Sequence, residues 1–147
     1  MILAQIVALQ SLFYIFLGLL LAALDRLFDV PLTFSQLFSA HAVRLTHASA
    51  WLVIVATLLN AGVVSVILML IVERAKKILD FAFTAHTIHL VLCVCFYGFP
   101  SNWEWWVLSG VSLTLEAVVG EYLCMRQELR EIRVSDFLSL RSAATAV

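Results

Sequence analysis

The chain has 147 residues, 63% of them hydrophobic and only 13% charged, with a mean hydropathy of +1.03 and a formal net charge of −1. A water-soluble domain of this size would not keep so much apolar surface from aggregating, and the near-neutral charge leaves no basic footprint for nucleic acid. Three cysteines, Cys93, Cys95 and Cys124, form no Cys-x-x-Cys and no even-numbered loop framework, so neither a disulfide scaffold nor a zinc ribbon is expected.

Four apolar segments, at 2–24, 48–72, 78–99 and 105–125, each approach the ~20 residues with which an α-helix crosses ~30 Å of hydrocarbon. None alternates, and a helix satisfies its own backbone hydrogen bonds in lipid. The expected fold is all-α: a polytopic membrane protein whose four transmembrane helices form a compact bundle over 1–134, followed by a loosely ordered cytosolic tail at 135–147. The first span lacks the basic lead of a secretion signal and exceeds its length, and three more spans follow. Its small residues Ala4, Ala8, Ser11, Gly18 and Ala22 fall along one face, which predicts close helix packing there.

Segment 25–47 carries Asp29-Val30-Pro31, then Thr33 and Gln36 at capping-box spacing, and predicts a short helix in the interfacial plane. In the second span Ala50, Thr57, Ala61 and Ser65 form a looser small-residue row, with Asn60 near midspan as a candidate polar bridge. After the 73–77 turn and the third span, Trp103, Trp105 and Trp106 suit the headgroup region where indole rings sit. The fourth span has its packing row at Ser109, Ser112, Glu116 and Gly120, and Arg126-Gln127-Glu128-Leu129 prolongs it beyond the membrane. A homodimer through one of these small-residue faces is compatible with the pattern.

Lys and Arg set the orientation. Seven of them, Arg74, Lys76, Lys77, Arg126, Arg130, Arg133 and Arg141, fall on one side against Arg26 and Arg44 on the other. Both termini and the 73–77 turn are therefore expected in the cytosol, with 25–47 and 100–104 in the lumen or exterior.

Ionisable groups within spans are functional hypotheses by default. Counted at ~1.5 Å per residue from the cytosolic ends, Asp80 and Glu121 lie ~3–6 Å deep, whereas His86, His89 and Glu116 lie at ~12–17 Å. The shallow pair is within reach of Lys76, Lys77 and Arg126 and reads as an orientation lock. In the deep layer, His86, His89 and Cys93 share a face of the third span at the depth of Glu116. The plainer reading is a histidine–carboxyl hydrogen bond pinning two helices; the sharper ones are a weak zinc-like site on His86, His89, Cys93 and Glu116, or a proton relay. No nucleophile–base pair, phosphate loop or zinc-protease helix appears, so no catalysis and no cofactor are expected. Cys93 and Cys95, two apart on a helix, point to different faces and do not suit thiol redox work.

The block Gly120-Glu-Tyr-Leu-Cys-Met-Arg-Gln-Glu-Leu-Arg-Glu-Ile132 resembles the end of the last helix in the SYS family of Golgi integral membrane proteins. Upstream, Lys77, Leu79-Asp80-Phe81, His86, His89-Leu90, Phe99-Pro100-Ser101 and Trp105-Trp106 stand in that family's order, as do Gln5-Ile6-Val7, Gln10, Tyr14, Gly18-Leu19 and Asp25. The resemblance implies a four-span trans-Golgi receptor for an Arf-like small GTPase with an acetylated amphipathic N-terminus, supporting golgin recruitment and endosome–Golgi vesicle traffic. Partners would then be that GTPase and the lipid bilayer. Its contacts are expected at the cytosolic face, on Arg74, Lys76, Lys77, Arg126, Glu128, Arg130 and Glu131. The alternative is a small ion or proton carrier built on His86, His89 and Glu116.

Overall fold

The structure, a computed structural model, describes residues 2–46, 49–72 and 74–145. Its elements in chain order are α1 (Ile2–Leu27), the one-turn helix α2 (Ser35–Phe38), a 3₁₀ turn (Ala40–Val43), α3 (Ala50–Val72), α4 (Ala75–Tyr97) and α5 (Trp103–Thr145). α1, α3, α4 and α5 are each long and apolar enough to cross a membrane, as the sequence predicts. Successive long helices run in opposite directions, so two ends can be distinguished. The loop end holds 28–46 and 98–102; the arginine end holds the start of α1, Arg74 between α3 and α4, and the far part of α5.

α3 is central, packed on α1 along one side and on α5 along another, while α5 also covers α4. The buried row of α1 is Leu9, Phe13, Leu17, Leu21 and Asp25, one residue every fourth position, which is the ridge that fits a neighbouring helix. The expected small-residue face is not used: Ala4, Ala8 and Ser11 are exposed, and a Cβ on Gly18 would meet nothing within 4 Å. Large side chains filling a groove, rather than backbone contact, hold α1. On α5 the expected row is the packing face, with Ser112, Glu116 and Gly120 buried and Ser109 partly so. A Cβ at Gly120 would come within 2.9 Å of Ile78 Cγ2, so glycine is what lets α4 and α5 approach there.

The ends of the helices follow local chemistry. α1 stops in a Schellman-type turn in which Asp29 takes φ 54° and the Val30 amide donates 2.9 Å to the Asp25 carbonyl, with Pro31 forbidding further helix. α4 stops at Gly98, φ 85°, its amide donating to Val94 O. At the start of α4 the Ala75 amide donates 3.3 Å to Glu128 Oε1 of α5, so a carboxylate from another helix caps this N-terminus.

Two expectations about the ends need correction. The short helix in 25–47 is a single turn, and it is packed against the bundle. Gln36, Phe38, Ser39 and Val43 are buried, and Asn102 Nδ2 donates 2.9 Å to Ala40 O, so α2 and the 3₁₀ turn plug the mouth of the bundle. Half the capping box forms, the Thr33 amide donating to Gln36 Oε1 at 3.2 Å. Likewise, 135–145 is not loose but continues α5 to Thr145, because no Gly or Pro follows Gly120; residues 146 and 147 lie outside the described residues. At 43 residues α5 is about 65 Å long at ~1.5 Å per residue, twice the ~30 Å hydrocarbon thickness.

Candidate functional site

Two regions collect the polar side chains: a centre inside the bundle and a surface at the arginine end. At the centre, α4 buries the face Ile78, Phe81, Ala82, Ala85 and Cys93, and His86 and His89 flank it. His86 Nδ1 lies 3.5 Å from Glu116 Oε2 and 3.3 Å from Ala82 O. A proton on that nitrogen is directed at the carbonyl one turn back, and the carboxyl stands beside it as a close ionisable neighbour that makes no hydrogen bond of its own. Glu116 is only 1% exposed, and among the described residues His86 is the basic side chain that stands within 4 Å of its carboxyl.

His89 does not join them. Its Nδ1 is 3.0 Å from the Tyr14 hydroxyl of α1 and its Nε2 3.5 Å from Cys93 Sγ, while its ring stacks between Phe38 and Trp105. The four-residue cluster expected from the sequence therefore divides: His86 ties α4 to α5, and His89 with Cys93 ties α4 to α1. Among the described residues no three His, Cys, Asp or Glu side chains are gathered to share a metal ion. Asn60 bridges as expected, Nδ2 donating 3.4 Å to Phe13 O. Gln5, quoted in the sequence only as part of a family pattern, does the same nearer the arginine end, donating 2.9 Å to Ile71 O.

The shallow lock is not formed. The phase that buries Ile78, Phe81 and Ala82 turns Asp80 outward, and among the described residues no ion pair joins Asp80 or Glu121 to Lys76, Lys77 or Arg126. The tryptophans also separate. Trp103 and Trp106 face outward, as an interfacial belt requires, but Trp105 is 6% exposed and lies 6.3 Å from the His89 ring at an interplanar angle of 13°. One helical step rotates a side chain by ~100°, so three neighbouring indoles cannot share one face.

At the arginine end, α5 leaves the bundle and with Met69 of α3 borders a concavity of about 1130 Å³. Arg126, Arg130, Glu131 and Arg133 line it together with the apolar side chains of Leu123, Leu129 and Leu138. Of the residues expected to bind a partner, Arg126, Arg130 and Glu131 meet here. Arg74, Lys76 and Lys77 do not line it, and Glu128 is occupied in capping α4.

Four apolar crossings around a polar centre, with one helix projecting far beyond, define a multi-pass integral membrane protein. Over residues 1–134 the chain matches the family model SYS1, described as integral membrane protein S linking to the trans Golgi network, and it belongs to that family of Golgi membrane proteins. It is similar to the protein SYS1 homolog of Nematostella vectensis, 39% identical over 135 residues, which are 92% of this chain and 86% of that one. It is also similar to the SYS1 homolog of Dictyostelium discoideum, 37% identical over 132 residues, 90% of this chain and 57% of that protein. No solved structure matches the chain.

Proposed function

We propose that the protein is a non-enzymatic receptor that recruits an Arf-like small GTPase to the trans-Golgi membrane and thereby supports golgin recruitment and vesicle traffic from endosomes. In this reading the arginine end faces the cytosol, in keeping with seven Lys and Arg residues there against two at the loop end. The observation that carries it is the projecting part of α5 with its concavity of about 1130 Å³. An amphipathic segment alone binds membranes weakly and reversibly, and a second contact on a protein raises residence by effective concentration. A concavity lined by both leucines and arginines suits such a segment, the arginines steering an acidic partner and the leucines taking its apolar face.

The carrier alternative has less support. A carrier must open its site to both sides in turn, whereas His86, His89 and Glu116 are divided between two helix contacts beneath a folded plug. The test is reversal of charge at Arg126 and Arg130 in the full chain. The GTPase is expected to leave the Golgi for the cytosol while the bundle stays; an unchanged GTPase distribution refutes the groove as its seat.

A further inference from the structure

Between the plug and the His86–Glu116 pair lies a second, partly open cavity of about 40 Å³. A buried water needs ~10–15 Å³ of such space and two to four polar partners, so there is room for about three. The lining is polar enough to hold them. Gln36 and Ser39 of the plug, Thr57 of α3, His86 and His89 of α4, and Ser112 of α5 all border it. Ser112 is 1% exposed, and its hydroxyl finds no protein partner, an arrangement that is costly when dry. Glu116 stands one turn further along α5, with both carboxyl oxygens likewise lacking a hydrogen bond.

The two ends of the bundle are unequal. Toward the loop end the cavity meets Gln36, beside which Asp25 is buried. Toward the arginine end the core is closed by Val64, Leu68 and Ile78, each 0% exposed, with Ile78 pressed on Gly120. The polar groups there are turned to backbone: Gln5 to Ile71 O and Ser65 to Ala61 O. Gln10 and Asn60 are exceptions, the Gln10 amide and Asn60 Oδ1 being buried without a hydrogen bond.

We infer that this cavity is a water-binding site that hydrates Ser112 and His86 and gives the His86–Glu116 pair a proton path to the loop end alone. Protons pass between water and the pair, and no other bond changes. The groups that set the pair's charge are few. α4 contributes His86 at 3.5 Å from Glu116, with His89 and Cys93 a turn or two beyond. α1 contributes Tyr14, and Asp25 at the mouth; α3 carries no titratable side chain. On α5 itself the nearest charged groups are Glu121 and Arg126 toward the arginine end and Glu104 toward the loop end. With the arginine end in the cytosol, the pair would read lumenal acidity. Nothing in this depends on which partner is recruited.

The test uses the full chain reconstituted in vesicles, its sidedness fixed by protease access to the α5 extension. In solid-state NMR, transfer of magnetisation from water to Ser112 and to the His86 ring should build up several-fold faster than to Val64. Filling the cavity with Ser112→Val should slow the transfer to His86. Equal, slow transfer to Ser112, His86 and Val64 in the unaltered protein means a dry cavity and overturns the inference, whether or not the variant folds. The infrared carboxyl band of Glu116, assigned by its loss in Glu116→Gln, should follow pH at the loop end while pH at the arginine end is clamped. A band that follows the arginine end, or neither end, overturns the one-sided path.

Discussion

At the scale of single residues, the bundle depends on a few contacts whose worth can be stated with a sign. Gly120 is the clearest, because a methyl group there would sit 2.9 Å from Ile78 Cγ2, and Ile78 is 0% exposed with a stiff, branched side chain. Overpacking a core costs ~1–3 kcal/mol, against ~0.5–1 kcal/mol that alanine gains over glycine inside a helix. Gly120→Ala should therefore lower stability by about 1 kcal/mol on balance. Gly18→Ala, where a Cβ meets nothing within 4 Å, should leave stability unchanged or raise it by up to ~1 kcal/mol. Denaturant unfolding in mild detergent decides: a Gly120→Ala variant as stable as Gly18→Ala would mean that α4 and α5 are not in close contact here. The His86–Glu116 pair can be weighed in the same assay. Hydrogen bonds between membrane helices average ~0.6 kcal/mol and reach ~1.7 in double-mutant cycles. A cycle on His86→Phe and Glu116→Leu should return a coupling within that range, and a value of zero would show that the 3.5 Å approach does not join the helices.

At the scale of elements, length was legible in the sequence and facing was not. The four crossings follow from apolar run length, since lipid leaves helices as the only outlet for backbone polar groups. Which face packs depends on the neighbour. The Ala4–Ala8–Ser11 row is as regular as Ser112–Glu116–Gly120, yet only the second is buried, because α3 receives Leu9, Phe13, Leu17 and Leu21 as a ridge. The same limit applies to the polar centre. Spacing placed His86, His89 and Cys93 on one face, but it could not show that α5 answers His86 while α1 answers His89. Nor could it show that Glu128 would turn back to the first turn of α4. That contact yields its own test. Glu128→Ala removes the acceptor of the Ala75 amide, and loss of such a cap costs ~0.5–2 kcal/mol. Amide exchange should quicken at Ala75 while protection at mid-helix Ala85 stays as it was; unchanged exchange at Ala75 would place Glu128 elsewhere, free for a partner.

At the scale of the whole molecule, α5 is both a wall of the bundle and a rod beyond it, so the surface proposed to recruit a GTPase is carried by the element that packs on α4 through Glu116 and Gly120. The rod has one continuous helical phase from Trp103 to Thr145, and phase offers a sharper probe of the groove than loss of charge. One alanine inserted between Glu128 and Leu129 leaves the Ala75 cap and every crossing intact. It rotates Arg130, Glu131 and Arg133 by ~100° about the axis, away from Arg126 and from the Met69 side of the concavity. Four alanines rotate them by ~400°, within ~40° of the starting phase, while lifting them ~6 Å. Charge is the same in both variants, which differ only by three alanines. If the groove seats the GTPase, the single insertion should abolish its Golgi recruitment and the fourfold insertion should restore a measurable part, with the membrane protein itself resident in the Golgi in both cases. Membrane fractionation of the GTPase beside imaging of the receptor reads this out. Recruitment that is equal in the two variants would show that the partner reads charge alone, or another surface such as the turn at Arg74, Lys76 and Lys77.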